Sequence, residues 1–383
     1  MVKKFLIILG ILGGIFLCVN PLFKPVDERE VIQFATWGSK SEIEIIRPIL
    51  AGFEKENPNV RVEFMHIPQN YFQKIHLLFA SNTAPDVIFI NNHYLPVYAN
   101  AGLLEPLQAN SNFYDKALRS LSWKNTLYAV PRDISNLVVF YNRDIFRKNN
   151  LSSPNDNWTF REFLETAQKL TNNGVFGVSF EEDTLFYLPY LMSMGGGILS
   201  DDLSRLIIDD EKSQRGIQFY ANLRKKYHVA PRREERASAT MAQMFLQEKL
   251  AMHVSGRWLV PKYREEADFD WDVVAFPRGE AGSVVPMDAS GWAIAKSSEH
   301  KIAARKLVDY LSSKSSIEKF TQSGLIVPAR KDVAESIYFL DNQKPRNVRV
   351  FLNAIETSKP TPVSVDYKEI LDNLKGELEK KFN

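Results

Sequence analysis

The sequence predicts an α/β protein built on a doubly wound sheet, with enough chain for more than one core. Three observations carry this. Strand-like apolar runs alternate with helical periodicity through the first hundred residues, in the order β-α-β-α-β. Val87-Ile88-Phe89-Ile90, following Pro85, is an unbroken apolar run of the kind found in strands covered on both faces. The 383 residues exceed what one ordinary core organises, so two domains are expected.

Val31 to Thr36 reads as the first strand and ends at Trp37-Gly38-Ser39. Ser41 to Asn57 reads as a helix, with Ser41 and Glu44 fitting a capping box and Ile43, Ile46, Ile49, Leu50 and Phe53 at helical spacing. Val60, Val62 and Phe64 alternate with polar residues and make strand two. A helix over about 70–81 leads into the strand at Val87. In open α/β sheets, ligands sit beyond the carboxyl ends of the strands. That rule puts Trp37, Ser39, Asn91 and Asn92 at one lip, with His93 an open candidate beside them.

Further along, Leu137 to Asn142 reads as a buried strand, and Asn157 to Glu162 as a capped helix start. Leu185 to Met194 reads as an aromatic helix ending in Gly195-Gly196-Gly197. Helices follow at 213–227 and from Met241 to Lys249. Leu250 to Ser255 is a strand that runs into Gly256-Arg257-Trp258. Asp270 to Pro277 is extended, Gly291 to Ala295 is a strand, and helices are expected near 299–312 and 315–322. A last helix over about 366–382 turns Tyr367, Ile370, Leu371, Leu374 and Leu378 inward.

Composition excludes several classes. The net charge is +2, from 48 basic and 46 acidic residues, which is no footprint for nucleic acid. A single cysteine, Cys18, can build neither a disulfide framework nor a thiolate metal site. The six histidines show no metal spacing. No nucleophile elbow, zinc helix, P-loop or dinucleotide fingerprint is present, so neither a cofactor nor catalysis is expected. Acidic pairs such as Asp201-Asp202 lack a partner placed across a substrate.

The N-terminus carries an address. Met1-Val2-Lys3-Lys4 is basic, and Phe5 to Val19 is uncharged and apolar. The run is shorter than the roughly 20 residues of a comfortable membrane span, so residues 1–23 read as an export signal or anchor. Cys18 is a candidate lipidation site, although Leu17 stands where a small residue is usual. A plain signal or an uncleaved anchor are the alternatives. The remaining chain carries Trp, Tyr, Asn, Asp and Arg at strand ends, the chemistry of polar-ligand binding without reaction.

Several segments, in order, carry a likeness. They are Phe53-Glu54-Lys55-Glu56-Asn57-Pro58-Asn59-Val60, Ala84-Pro85-Asp86-Val87-Ile88 through Ala101-Gly102-Leu103-Leu104, and Tyr128-Ala129-Val130-Pro131. Phe140-Tyr141-Asn142-Arg143-Asp144, Trp158-Thr159 with Phe163, Phe245 to Met252, and Gly256-Arg257-Trp258 follow. Gly291 to Ile294, Ala303-Ala304 and Val327-Pro328-Ala329-Arg330 complete the set. With them the chain resembles the extracellular solute-binding proteins of ABC importers, in the carbohydrate-binding family related to maltose-binding protein.

The resemblance implies a two-lobed, periplasmic-binding-protein-like fold with a multi-strand hinge. The N-lobe would hold 28–136 and 287–326, and the C-lobe 137–286 and 327–383. It implies a carbohydrate ligand, docking on the transmembrane subunits of a permease, a location in the periplasm or at the outer face of the cytoplasmic membrane, and action as a monomer. One lobe would offer Trp37, Ser39, Asn91, Asn92 and Asp133. The other would offer Trp258 as a stacking platform, with Phe186 and Tyr190 as further aromatics. Arg257, Asp288, Ser290, Trp292 and Arg330 would line the cleft near the hinge. Rival readings are an anionic ligand such as a glycerol phosphate ester, held by Arg132, Arg257 and Arg330, and a membrane-tethered sensor on the same fold.

Overall fold

The computed structural model describes residues 28–236 and 238–383; the leader over 1–23, with Cys18, lies outside the described residues. The chain begins with β1 (Glu30–Thr36), the Lys40–Glu56 helix, β2 (Val60–His66), the Tyr71–Ala80 helix and β3 (Val87–Asn91). β1 pairs in parallel with both β2 and β3, so their order is 2-1-3. The two crossovers run in opposite directions along the sheet. Right-handed connections therefore set the two helices on opposite faces. Val87, Ile88, Phe89 and Ile90 are all fully buried between them, as the apolar run predicts.

The Lys40–Glu56 helix turns Ile43, Ile46, Ile49, Leu50 and Phe53 inward, which is the predicted stripe. Its start differs from the expectation. Ser39, not Ser41, is the N-cap, and its Oγ accepts from the Glu42 N–H at 3.3 Å. The cap moves because Gly38 takes φ +142, a conformation that turns the chain straight into the helix.

The later strands are β4 (Ser122–Trp123), β5 (Thr126–Leu127), β6 (Val130–Ser135), β7 (Val138–Asn142), β8 (Phe176–Val178) and β9 (Leu250–Ser255). They are followed by β10 (Trp271–Val274), β11 (Pro286–Ile294), β12 (Val327–Pro328) and β13 (Lys359–Pro360). The large sheet runs β12-β6-β11-β3-β1-β2, with β13 also on β11; the small one runs β10-β7-β9-β8. Only the β1–β2–β3 half of the large sheet is the parallel pattern read from sequence. β11 is antiparallel to both β3 and β6, and the small sheet is mixed. β4 and β5 form a separate hairpin.

The chain passes from the large sheet to the small one within two residues, Asn136 and Leu137, between β6 and β7. β7 then alternates. Val138 and Phe140 join the core of the large sheet, whereas Val139 and Tyr141 join a second core with Phe163, Tyr190 and Tyr220. That period of two is the pleat of a strand buried on both faces. The Val350–Thr357 helix, for which the sequence carries no expectation, helps join the two bodies: its Phe351 packs on Phe140, ring centres 6.4 Å apart. The Tyr367–Phe382 helix closes the chain, with Tyr367, Leu378 and Phe382 buried and Ile370, Leu371 and Leu374 only half-buried.

A candidate binding cleft between the sheets

The site is built from the two turns that leave β1 and β9. After β1, Trp37 packs its ring on Phe89, Tyr71 and Phe72 at 4.4, 5.0 and 5.2 Å, and stays half-buried. Glu42, in the first turn of the next helix, is buried and ion-paired with Arg132 of β6. Arg132 also donates from Nε and Nη2 to Asp133 Oδ2, at 3.0 and 2.6 Å, and its guanidinium lies 4.2 Å over the Phe89 ring. Burial alone would lower the Arg132 pKa, but Asp133 and Glu42 hold it above its ordinary value. Burial raises the Asp133 carboxyl, against the pull of Arg132. Asp133 Oδ1 is buried without a hydrogen-bond partner among the described residues.

After β9 come Gly256, Arg257 and Trp258. A side chain at position 256 would put its Cβ 1.9 Å from Trp258 Cζ3, so glycine is what allows the indole to lie back over the turn. Arg257 is 2% exposed. Its guanidinium stacks 4.1 Å over the Phe339 ring and 5.7 Å from Phe351. Nε, Nη1 and Nη2 all lack a hydrogen-bond partner among the described residues. Burial first, and the nearby Arg264 second, bring its pKa down to about 9.

These two turns face one cavity of about 190 Å³, lined by Trp37, Glu42, Arg132, Asp133, Arg257, Trp258 and Ser290 among others. A wider cavity of about 860 Å³ shares Trp37, Glu42, Trp258 and Leu325 with it and adds Ser39 and Arg47. Six sequence candidates thus converge: Trp37, Ser39, Asp133, Arg257, Trp258 and Ser290.

The other candidates lie elsewhere. Asn91 and Asp288 line a separate cavity of about 720 Å³, with His93, Tyr94, Asp183 and Tyr367. There Asp288 accepts from Thr361 Oγ1 at 2.7 Å and Asn92 Nδ2 at 2.9 Å, and pairs with His93 Nε2 at 2.9 Å. Asn92 is buried, its Oδ1 accepting from the Ala289 N–H at 3.2 Å, so both ends of its amide are already used. Phe186 is half-buried against the second core. Tyr190 has no exposed surface, packed among Phe276, Tyr220 and Phe160 at 4.9, 4.8 and 5.6 Å. Trp292 is equally buried, on Phe89 and Phe34 at 4.7 and 5.4 Å.

Arg330 is buried and donates to both carboxylate oxygens of Asp332, at 3.0 and 2.8 Å. Of the three arginines of the anionic-ligand reading, Arg132 and Arg257 line one cavity and Arg330 does not; Arg132 is paired with two carboxylates and Arg330 with one. Glu42 carries no sequence signal of its own, because its partner is 90 residues away. Among the described residues no group of His, Cys, Asp or Glu is placed to hold a metal ion, and no helix is long and apolar enough to cross a membrane.

Residues 49–344 match the family model of the bacterial extracellular solute-binding proteins. The chain belongs to that family. A chain of Brucella abortus named as a binding protein is 26% identical over 393 residues, covering 95% of this chain and 90% of its own length. The galactooligosaccharide-binding protein of Bacillus subtilis is 22% identical over 353 residues, covering 88% and 82%. Among solved structures, an ABC substrate-binding protein of Listeria monocytogenes in complex with cycloalternan superposes with a TM-score of 0.85 at 24% identity. It covers 93% of this chain and 94% of that one. This likeness is one of fold: a two-lobed α/β solute-binding protein with helices flanking its sheets. The Trp37–Trp258 cavity is walled by residues from the turns that follow strands of both sheets.

Proposed function

We propose that this protein is the non-enzymatic, exported receptor of an ABC importer, taking a sugar or oligosaccharide between its lobes and presenting it to a membrane permease. One observation carries the reading: two half-buried indoles from different sheets, Trp37 and Trp258, wall a cavity whose floor is Glu42, Arg132, Asp133 and Arg257. Indole faces stack on the apolar faces of sugar rings. Carboxylates accept from hydroxyls and guanidinium groups donate to them. The relatives named for galactooligosaccharide and solved with cycloalternan support the same class of ligand.

The lobes are assigned as 28–136 with 287–326, and 137–286 with 327–383. Closure about their crossings is driven by the ligand's greater affinity for the closed form. The exported chain is held at the membrane through Cys18 and acts as a monomer. Replacing Trp258 by Ala should weaken sugar binding about 10- to 100-fold in calorimetry, the scale of one lost aromatic stacking face, with the melting temperature little changed. Undiminished affinity in that variant would remove the cavity from the binding site.

A further inference from the structure

β6 carries one residue more than the strand it pairs with. Along β11, Asp288, Ala289 and Ser290 sit opposite Ser135, Ile134 and Asp133, but Gly291 and Trp292 sit opposite Pro131 and Val130. Arg132 falls between the two registers with no counterpart, which is a β-bulge. We propose that Gly291 is a positioning residue for ligand binding: it makes room for this bulge, and the bulge brings Arg132 onto the cavity face of β6 beside Asp133. The inference rests on the sugar-receptor reading and adds the backbone device that builds the charged floor.

An unbroken strand could not place these two neighbours together. Successive side chains point to opposite faces, and residues directly opposite on paired strands share a face. Ser290 and Trp292 share one face of β11, so their partners Asp133 and Val130 share it too. Arg132 stands on that same face. Its guanidinium lies 4.2 Å over Phe89 and 5.7 Å over Trp292, which are themselves opposite each other on β3 and β11. Arg132 therefore reaches Asp133 Oδ2 from Nε and Nη2, at 3.0 and 2.6 Å, and Glu42 from Nη1. All three are buried, and all line the inner cavity with Ser290.

Two residues permit the bulge. Pro131 has no N–H to give the ladder, and inside a sheet proline belongs at strand starts or bulges; β6 lies between β12 and β11. Gly291, opposite Pro131, lets the backbones close in. A Cβ at position 291 would run into the Val130 carbonyl, with its carbon at 2.8 Å, and would meet Pro131 Cα at 2.9 Å. Backbone in the middle of a sheet cannot turn aside as a side-chain end does. A methyl there would push β6 off β11 just before Arg132. The bulged residue is held from the other side, where its carbonyl accepts from the Ala329 N–H at 3.1 Å.

The test is a double-mutant cycle read by melting and by calorimetry with glucose, galactose, maltotriose and galactobiose. One arm is Gly291→Ala. The other deletes Arg132, with Glu42→Gln so that no acid loses its partner there. A one-residue deletion in a buried strand normally turns every later side chain to the wrong face. Here it should remove only the bulge and leave Asp133 opposite Ser290, so the deletion chain should still melt cooperatively. Gly291→Ala should lower the melting temperature of the parent and cost little in the deletion chain, where a regular ladder has room for a Cβ. At a temperature where each chain is folded, Gly291→Ala and the deletion should each weaken sugar binding about tenfold or more. If Gly291→Ala does not fold alone, its recovery in the deletion chain carries the test. A deletion chain that does not fold, or an alanine equally costly in both backgrounds, overturns the bulge. Parent affinity in folded Gly291→Ala makes the glycine merely structural and overturns its positioning role, with the receptor reading left standing. Failure of the parent chain to bind any of these sugars overturns the receptor reading and the positioning role together, whatever the melting cycle gives.

Discussion

The two cavities beside the chain crossings treat buried polar groups in opposite ways. Around Asp288 three segments converge on one carboxylate: Asn92 and His93 after β3, Asp288 on β11, and Thr361 just after β13. Each donor meets an acceptor within 2.9 Å. Around Trp37 and Trp258 the polar groups are as deeply buried, yet the Arg257 guanidinium and one oxygen of Asp133 have no hydrogen-bond partner among the described residues. Both arrangements cost desolvation on folding. They differ in what supplies the compensating hydrogen bonds. In the first it is the chain itself, so the network acts as a tie across the crossing. In the second, on the proposed reading of the cavity, it is a ligand from outside. Loss of a tie should cost stability, and loss of a site group should cost affinity.

The largest effect should come from cutting the tie. Asp288→Ala removes the acceptor from three donors in one step. Breaking a buried hydrogen-bonded charge costs about 3–5 kcal/mol, and the partial exposure of His93 and Asp288, 32% and 16% of their side chains, argues for the lower end, about 3 kcal/mol. Urea denaturation measures it. A loss below about 1 kcal/mol would erase the contrast between the two cavities.

A smaller effect should come from the turn that seats Trp258. Gly256 has an extended backbone that any residue tolerates, φ −109 and ψ 176, so the consequence of Gly256→Ala is steric. The new methyl would overlap the indole at 1.9 Å. A rigid ring cannot yield as a flexible chain end does, and overpacking of this kind costs about 1–3 kcal/mol. Trp258 must swing away, so sugar affinity should fall along with stability. Stability unchanged by urea denaturation, with affinity retained, would mean that the indole is not held against this turn.

How much of this is legible in the sequence follows from what each residue needs in order to be read. β3 is readable because four consecutive apolar residues after a proline have few other uses, and all four are buried. The Lys40–Glu56 helix is readable from its apolar stripe, but its cap is not. The choice between Ser39 and Ser41 depends on the φ of Gly38, which periodicity does not report. Aromatic type alone does not separate site from core. Trp258 walls the cavity, whereas Trp292 and Tyr190 are wholly buried, and only the topology of their strands and helices decides. Asn92 has the right chemistry at the right strand end, yet Asp288 and Ala289 claim its amide from 196 and 197 residues away. Glu42 is hidden for the same reason. Long-range pairing, not residue type, sets whether a polar group is free for a ligand.

The smallest effect is a pH dependence that should appear in stability and not in binding. At His93 burial favours the neutral ring, but the charge and hydrogen bond of Asp288 outweigh it and hold the histidine above its ordinary value. Asp288 is held below the carboxylate range in spite of its burial, chiefly by His93 and then by Thr361 and Asn92. The contribution of His93 is complete below its unfolded value near 6.5 and is lost as pH rises through the higher folded value. The contribution of Asp288 is complete above its unfolded value near 3.9 and is lost as pH falls through the lower folded one. The tie is therefore complete between about pH 4 and 6.5. Asp183 and Tyr367 face the same pair, and Glu182, Lys368, Asp372, Lys375 and Glu379 line the cavity around it. Stability should fall by about 1 kcal/mol or less from pH 6 to 9, as for partly exposed pairs. His93→Gln, which keeps a donor and loses the titration, should flatten that slope in urea midpoints. Affinity for a single sugar ring in the inner Trp37–Trp258 cavity, whose lining includes no histidine, should stay level from pH 6 to 8. A slope shared by the parent chain and His93→Gln would assign the pH dependence to the surrounding acidic and lysine side chains, and an affinity that follows His93 would join the two cavities into one site.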